Sequence, residues 1–173
     1  MNDELELEKQ TKKKEKLFDI VSLIVILLLS ITLLQFFRIA VVNGHSMDNT
    51  LSHGQHLILA SKAYWFEEPE RNDIIVAEPA NMNGEYIIKR VIGTEGQTIT
   101  IKNNVVYVDG EEITESYLPE PMITDDLEVT IPEGKIFVMG DNRNHSGDSR
   151  SEIIGCIDMK EELKGKIIVK FPF

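Results

Sequence analysis

The chain has 173 residues, 29 of them acidic and 18 basic, and a formal net charge of −11. This length is enough for one modest domain and too short for two well-packed ones. Residues 1–42 hold six acids and six bases, so the whole net charge lies on residues 43–173. A domain that acidic is repelled by phosphate backbones, which argues against nucleic acid as a partner. The single cysteine, Cys156, excludes an internal disulfide and a Cys-rich zinc site.

The first predicted element is a membrane anchor. No charged residue occurs from Ile20 to Phe37, and eighteen helical residues at about 1.5 Å each span roughly 27 Å, close to the hydrocarbon thickness of a bilayer. The apolar residues surround the helix, unlike those of an amphipathic surface helix. We therefore predict a cytoplasmic tail over 1–16, a transmembrane signal anchor over 17–42 and one extracytoplasmic domain over 43–173.

A cleaved signal peptide is the alternative interpretation of the apolar segment. Its apolar core is longer than that of a usual signal peptide, and the following residues 38–43 contain no small-x-small cleavage site. Five lysines precede the segment and only Arg38 lies near its far end, which predicts an N-terminus inside and a C-terminal domain outside.

Beyond residue 42 the pattern changes to short β-like segments separated by turn residues. The segments are rich in Val, Ile, Phe and Tyr and comprise 57–60, 73–77, 86–92, 98–101, 105–108, 127–131, 135–139 and 166–171. Such short, evenly spaced segments predict a mainly β fold, an antiparallel coiled sheet or barrel without βαβ units. A helical turn or two is expected only within 152–164, and 114–126, with two prolines, is expected to be a surface loop.

A lysine within a predicted strand is the first candidate catalytic residue. Because side chains alternate between the faces of a strand, Lys89 shares its face with Ile87 and Val91 and points into apolar surroundings. Burial lowers the pKa of a lysine, and the neutral amine that results is a usable general base for a serine. In the alternative interpretation, Lys89 lies at a sheet edge and extends its amine to water.

Ser46 is the candidate nucleophile. It follows a glycine-containing turn, residues 43–45, shortly after the predicted anchor. Such a turn can present an exposed hydroxyl together with backbone N–H groups for an oxyanion. A serine in a turn more often serves only the turn itself, which is the alternative interpretation.

A polar segment, residues 140–150, follows the predicted strand 135–139. Its paired charges and hydrogen-bonding groups suit a rigid support for an active site, although a solvated loop has a similar composition. Arg90 lies on the strand face opposite Lys89, and we expect it to pair with an acid of this segment, Asp141 or Asp148.

Four stretches of the chain, taken in order, resemble the bacterial type I signal peptidases, which are membrane-bound Ser/Lys proteases. Ser46-Met-x-x-Thr-Leu51 resembles their nucleophile box, and Lys89-Arg-Val-Ile-Gly93 resembles their general-base box. The other two stretches are Arg71-Asn-Asp-Ile-Ile-Val76 and, most specific of all, Gly140-Asp-Asn-Arg-x-x-Ser-x-Asp-Ser-Arg150. The match is collinear over essentially the whole chain and is similar to the compact Gram-positive form of the family.

The resemblance implies a role for each matching residue. Ser46 would be the nucleophile and Lys89 the general base, the Ser/Lys variant of the catalytic triad. The backbone N–H of Ser46 would be one donor to the oxyanion. Ser146 would hydrogen-bond to the lysine and orient it. Gly44 occupies the position where some members supply a second donor from a hydroxyl side chain. The residues expected to brace the site are Asp148, Arg150, Asp141, Arg143 and Arg90.

Three positions depart from the family pattern. Asn49 stands where the family usually has proline, which leaves the turn after Ser46 less rigid, although asparagine tolerates turn geometry. Asn72 replaces a usual glycine, and His145 replaces an asparagine, which alters hydrogen bonding near Ser146. None of the three removes an implied catalytic group.

The implied reaction releases exported preproteins from their signal peptides by cutting after small-x-small motifs, through an acyl-enzyme on Ser46. The signal peptide would bind as an added β-strand, and the candidate pocket residues are Met47, Leu51 and Ile88. Signal peptides and the lipid bilayer are the implied partners, with no cofactor or metal, and the bacterial plasma membrane is the implied location. The aromatic stretch 64–66 is expected either at the membrane interface or packed under a loop.

Other classes of function fit the sequence less well. Three histidines suggest a metal site, His45, His53 and His56, but no carboxylate spacing such as His-Glu-x-x-His accompanies them. A triad of His145, Asp141 and a serine would make Lys89 redundant. Self-cleaving repressors use a similar dyad but carry an N-terminal DNA-binding domain. The main alternative is an inert signal-peptidase-like assembly factor or binding module at the membrane.

Overall fold

The computed structural model describes the backbone of residues 2–172 and the side chains of residues 10–172. The chain divides into a helical unit that ends at Phe36 and a β unit that begins at Phe37. Helix α1 runs from Asn2 to Phe36. It therefore includes the segment expected to be a separate tail and ends before residue 42, where the anchor was expected to end.

Helix α1 is long and apolar enough over Gln10–Phe36 to cross a membrane. Its apolar side chains from Leu17 to Leu34 are exposed. The hydroxyls of Ser30 and Thr32 donate to the backbone carbonyls four residues earlier, at 2.8 and 2.9 Å. These two hydroxyls within the apolar segment are thus hydrogen-bonded inside the helix, which suits a hydrocarbon environment.

The β unit consists of two antiparallel sheets. The strands of the larger sheet are β1 Phe37–Val41, β2 His56–Ala60, β3 Ile74–Ala77, β4 Ile87–Thr94, β9 Lys135–Met139, β10 Ile157–Asp158 and β11 Leu163–Lys170. Their order is β1-β2-β11-β3-β4-β9-β10. The strands of the smaller sheet are β5 Thr98–Lys102, β6 Val105–Val108, β7 Glu111–Glu112 and β8 Leu127–Thr130. Their order is β7-β6-β5-β8.

The prediction of a mainly β, antiparallel fold behind one apolar helix is confirmed. The helical turn or two expected within 152–164 occur as single turns, closed by bonds from Gly155 N–H to the Ser151 carbonyl and from Glu162 N–H to the Asp158 carbonyl. The short strand β10 lies between them, and neither turn continues into a helix. Ile157 pairs with Ile136 and is fully buried. The Asp158 carboxylate accepts the backbone N–H groups of Lys160 and Glu161, and such local bonds compete with a helix.

Strand β4 lies in the interior of the larger sheet and contributes to three hydrophobic clusters. Ile92 belongs to the cluster that lies between the two sheets, and Val91 belongs to a second cluster with Ile75. Ile88 packs against the third. Lys89 therefore lies on a strand whose neighbouring side chains are held in place by apolar packing.

Candidate active site

The central residue of the site is Lys89, on strand β4. This strand pairs with β3 on one side and with β9 on the other, and Lys89 faces Ile75 across the β3 pairing. The lysine is 3% exposed, so the alternative in which its amine extends to water is wrong. Burial lowers the pKa of Lys89 to about 8, and the nearby Asp148 carboxylate opposes that shift.

Ser46 meets this lysine directly. The Nζ of Lys89 donates to the Oγ of Ser46 at 2.7 Å, although the two residues are 43 positions apart in the chain. The turn that carries Ser46 is closed by the backbone N–H of Asp48, which donates to the carbonyl of His45 at 3.1 Å. A serine hydroxyl in contact with a buried amine of lowered pKa is an arrangement for nucleophilic catalysis.

The turn around Ser46 is packed and hydrogen-bonded to other elements. Met47 and Leu51, each 1% exposed, anchor it in the hydrophobic cluster beneath. Asn142 donates its backbone N–H to the Ser46 carbonyl at 3.0 Å and its side-chain Nδ2 to the His45 carbonyl at 3.0 Å. The polar segment 140–150 thus fixes the main chain of the nucleophile turn.

Buried ion pairs hold segment 140–150 in place. Arg90 makes two bonds to Asp141, at 2.8 and 2.6 Å, and Asp141 is fully buried. Of the two acids proposed as partners of Arg90, the structure selects Asp141. Asp148 pairs instead with Arg150 at 2.8 Å and also accepts the backbone N–H of Gly140 at 3.0 Å.

Gly140 occupies a place with no room for a side chain. A Cβ at this position would collide with the Ser46 carbonyl oxygen and with the side chain of Ser146. The glycine that opens the polar segment is therefore required by the close approach of the nucleophile turn.

Two residues of the brace were not predicted. Glu115 accepts a hydrogen bond of 2.9 Å from Nη1 of Arg143. The ring of Tyr117 contacts two arginines, with its centroid 4.0 Å from Cζ of Arg90 and 5.8 Å from Cζ of Arg143. Arg143 also donates to the Gly140 carbonyl at 3.0 Å. Segment 114–126, expected to be only a surface loop, therefore helps to hold the site. No local sequence pattern indicates this, because the contact joins residues 28 positions apart.

The structure corrects the expectation for Ser146. Its hydroxyl donates to the Gly147 carbonyl at 3.5 Å, and no hydrogen bond between Ser146 and Lys89 occurs in residues 10–172. The Ser146 side chain lies instead against Gly140. The alternative triad is also wrong, because both oxygens of Asp141 bind Arg90 while His145 is exposed.

Only one of the three predicted pocket residues retains open surface. Met47 and Leu51 are buried in the core cluster, whereas Ile88 is half-buried and packs against it. Ile88 adjoins Lys89 on β4, where Ile87–Lys89 pair with β3 but the β9 register begins only at Arg90. In the described chain, the β9-facing edge of β4 is therefore unpaired beside Lys89.

The backbone explains two of the three departures from the family pattern. Asn49 has φ +73° and Asn72 has φ +77°. Proline, whose φ is fixed near −65°, cannot adopt the first conformation. The second is one that glycine adopts freely and that asparagine tolerates better than most residues.

Two of the three histidines near the nucleophile contact each other. His45 and His53 stack with ring centroids 5.5 Å apart, and His45 bonds to Asp48 at 3.0 Å. Within residues 10–172, no three His, Cys, Asp or Glu side chains converge on a position that could hold a metal ion.

Comparison with known proteins gives a consistent result. A family model described as signal peptidase, peptidase S26, matches residues 16–171. The chain is 37% identical over 178 residues to a signal peptidase I of Bacillus licheniformis, covering 96% of this chain and 95% of that relative. It is 38% identical over 138 residues to a probable signal peptidase I-1 of Synechocystis, covering 75% and 70%. A crystal structure of a signal peptidase I from Enterococcus faecalis has a TM-score of 0.50 and 32% identity, covering 60% of this chain and 98% of that chain.

Proposed function

Since the chain belongs to the signal peptidase family, peptidase S26, and is a serine peptidase, we propose that it removes signal peptides by a Ser46/Lys89 mechanism. The observation that carries this proposal is the 2.7 Å contact between Lys89 Nζ and Ser46 Oγ, made by a lysine that is 3% exposed. A pKa of about 8 leaves part of the Lys89 population neutral near neutral pH.

The chemistry follows the usual two stages of acyl transfer. In the first stage, Ser46 Oγ attacks the scissile carbonyl, and the neutral Lys89 amine takes the hydroxyl proton and passes it to the departing amine. In the second stage, Lys89 takes a proton from the water that attacks the acyl-enzyme. It then returns this proton to Ser46 Oγ as the bond to the acyl group breaks and the carboxylic product leaves. The backbone N–H of Ser46 supplies one donor for the oxyanion, and Gly44 has no side chain to supply another.

The signal peptide binds as an additional strand next to Lys89. The support for this step is the unpaired edge of β4 at Ile87–Lys89, whose backbone groups are available to an extended peptide. Ile88, half-buried at the same edge, is placed to limit the size of a substrate side chain. This arrangement fits small residues at the first and third positions before the cut.

A direct test uses the full chain in detergent with a model preprotein and its variants. N-terminal sequencing of the product should show a cut after a small-x-small motif. Replacing the residue before the cut by isoleucine should abolish cleavage, while the same replacement at the second position before the cut should leave it within a few-fold. Equal cleavage of all three substrates would contradict the proposed specificity.

We further propose that the chain crosses the bacterial plasma membrane once, with its N-terminus in the cytoplasm and the β unit outside. Helix α1 supplies the candidate span. The β unit also exposes an apolar row across three strands, in which Ile39 pairs with Ile58 and Ile58 pairs with Val169. Ile39 is 75% exposed, and such an apolar surface suits contact with lipid.

Two aromatic residues support the same proposal. Trp65 and Phe66 are strongly exposed, whereas Tyr64 packs and donates its hydroxyl to Asp73 at 2.9 Å. Protease added to intact cells should digest the β unit and spare residues 1–16. Protection of the β unit would contradict the proposed orientation.

A further inference from the structure

We propose that His53 is a positioning residue for the nucleophile, and that its neutral ring holds the main chain preceding Ser46 while its protonated ring releases it. This inference rests on the proposed function, because it assigns a role in placing Ser46 for the same reaction. His53 lies outside the four family-like stretches and is not part of the dyad or its brace.

The geometry consists of one hydrogen bond at a flexible point. The backbone N–H of Gly44, two residues before Ser46, donates to Nδ1 of His53 at 3.1 Å. Gly44 has φ +121°, and a Cβ built on it would meet no atom within 4 Å. No other group therefore lies where a side chain of residue 44 would stand, and the bond to His53 restrains the peptide group that carries the Gly44 N–H.

The two sides of the nucleophile are held differently. Downstream, the Ser46 carbonyl accepts the backbone N–H of Asn142, a residue that is only 9% exposed. Upstream, the His45 carbonyl accepts Nδ2 of Asn142 at 3.0 Å, and the Gly44 N–H donates to an exposed imidazole. Only the upstream restraint includes a group that changes its hydrogen-bonding character with pH.

The direction of the bond fixes the state of the ring. Gly44 donates, so Nδ1 of His53 must present a lone pair, and the neutral ring carries its proton on Nε2. Protonation at Nδ1 turns this acceptor into a donor facing another N–H. The bond is then lost, and the peptide group of Gly44 is free to turn away.

An ionisable side chain packs against the His53 ring, that of His45 in the nucleophile turn. The ring of His45 stacks on His53 with an interplanar angle of 26°. The Nδ1–H of His45 donates to the Asp48 carboxylate at 3.0 Å. The Asp48 carboxylate is thus bonded to His45, whereas the Gly44 N–H is bonded to Nδ1 of His53.

The test compares two matched substitutions in the full-length chain. In His53→Asn, the side-chain oxygen lies where Nδ1 lies in histidine and accepts the Gly44 N–H without titrating. In His53→Gln, the oxygen lies one bond farther out, in the place of Nε2, and does not reach Gly44. The measured quantity is kcat/KM for a model preprotein between about pH 9 and about pH 5.5, across the range in which imidazoles titrate.

The ratio of each variant to the parent at the same pH cancels the titration of Lys89, which all three proteins share. At about pH 9 we expect His53→Asn to match the parent and His53→Gln to be roughly threefold to tenfold slower, as the loss of one hydrogen bond implies. Toward about pH 5.5, the parent should fall to the level of His53→Gln while His53→Asn stays above both.

Three proteins with equal kcat/KM at every pH would overturn the inference, and so would equal losses in both variants. Thermal unfolding of each variant shows whether the fold is intact. Ser46→Ala, assayed alongside, separates the two claims. Cleavage by Ser46→Ala would refute the proposed function, whereas an inactive Ser46→Ala together with identical His53 variants would refute only the role of His53.

Discussion

Asn142 binds the main chain on both sides of the Ser46 Cα atom. Its backbone N–H donates to the Ser46 carbonyl and its Nδ2 donates to the His45 carbonyl, each at 3.0 Å. Asn142 follows Asp141, and Asp141 is fixed by Arg90, the residue next to Lys89. One short path of bonds therefore connects the nucleophile with the strand that carries the amine. The distance between the two catalytic groups depends on this path.

Asn142→Ala tests that connection. The substitution removes the bond to His45 but keeps the backbone bond to Ser46, so we expect about a tenfold loss of kcat/KM and a loss of stability of about 1 kcal/mol. The matched control is Asn144→Ala, because Asn144 bonds to Glu120 and to residues 121 and 123, away from Ser46. Equal kcat/KM in the two variants would show that the side-chain bond of Asn142 does not position Ser46.

Gly140→Ala tests the close approach of the two segments. The added Cβ would collide with the Ser46 carbonyl, which is main chain and moves only with the whole turn. A displacement of about 1 Å at a nucleophile can cost about 100-fold in rate, and we expect a loss of that order. Gly147→Ala is the control, since its Cβ would meet only the Ile154 side chain at an ordinary 3.7 Å. Similar kcat/KM in both variants would contradict this account.

Asn49→Pro tests the altered turn after Ser46. Proline, the usual residue of the family at this position, would require the φ of residue 49 to change from +73° to about −65°. We therefore expect the variant to lose about 1–3 kcal/mol of stability together with activity, as strained backbone does. Asn49→Gly should fold and cut like the parent. A proline variant with unchanged thermal unfolding would show that the turn adapts to either residue.

The lowered pKa of Lys89 predicts a dependence of stability on pH. Between about pH 8 and 10.5 the unfolded chain binds a proton at Lys89 and the folded chain does not, so stability rises with pH. The full gain is about 3 kcal/mol, and below the folded pKa the cost of the buried charge is complete. The free energy of unfolding of the parent, relative to Lys89→Met, should rise by that order between about pH 7 and about pH 10. If the free energies of unfolding of the two proteins changed with pH by the same amount, the result would contradict a buried Lys89 amine of lowered pKa.

The β architecture was predictable because it depends on local patterns. Alternating apolar residues located the strands around Lys89, and a glycine-containing turn located Ser46. Within 152–164 the pattern indicated the single helical turns but not strand β10, because Ile157 pairs with Ile136 through a tertiary contact. Strand β1 was missed because its mostly apolar residues continue the apolar segment and were included in the predicted anchor over 17–42.

The centre of the site was predictable from its residue types, but its supports were only partly so. Arg90 was expected to pair with one of two acids, and only the fold decides that Asp141 is the one it reaches. Glu115 and Tyr117 were missed because they reach the site through tertiary contacts. Ser146 was expected to bond to Lys89, but its hydroxyl donates to the carbonyl of the adjacent Gly147, a local geometry that residue type alone does not reveal.

Cleavage of a model preprotein by matched variants shows whether Ser46 and Lys89 act as one catalytic pair. Ser46→Ala and Lys89→Met should each lose cleavage by at least about a thousandfold, and the double variant should lose no more than either single one, because the two groups act as a unit. Lys102→Met, which changes an exposed lysine on β5, should cleave like the parent. Retention of parental cleavage in Ser46→Ala or Lys89→Met would contradict the account.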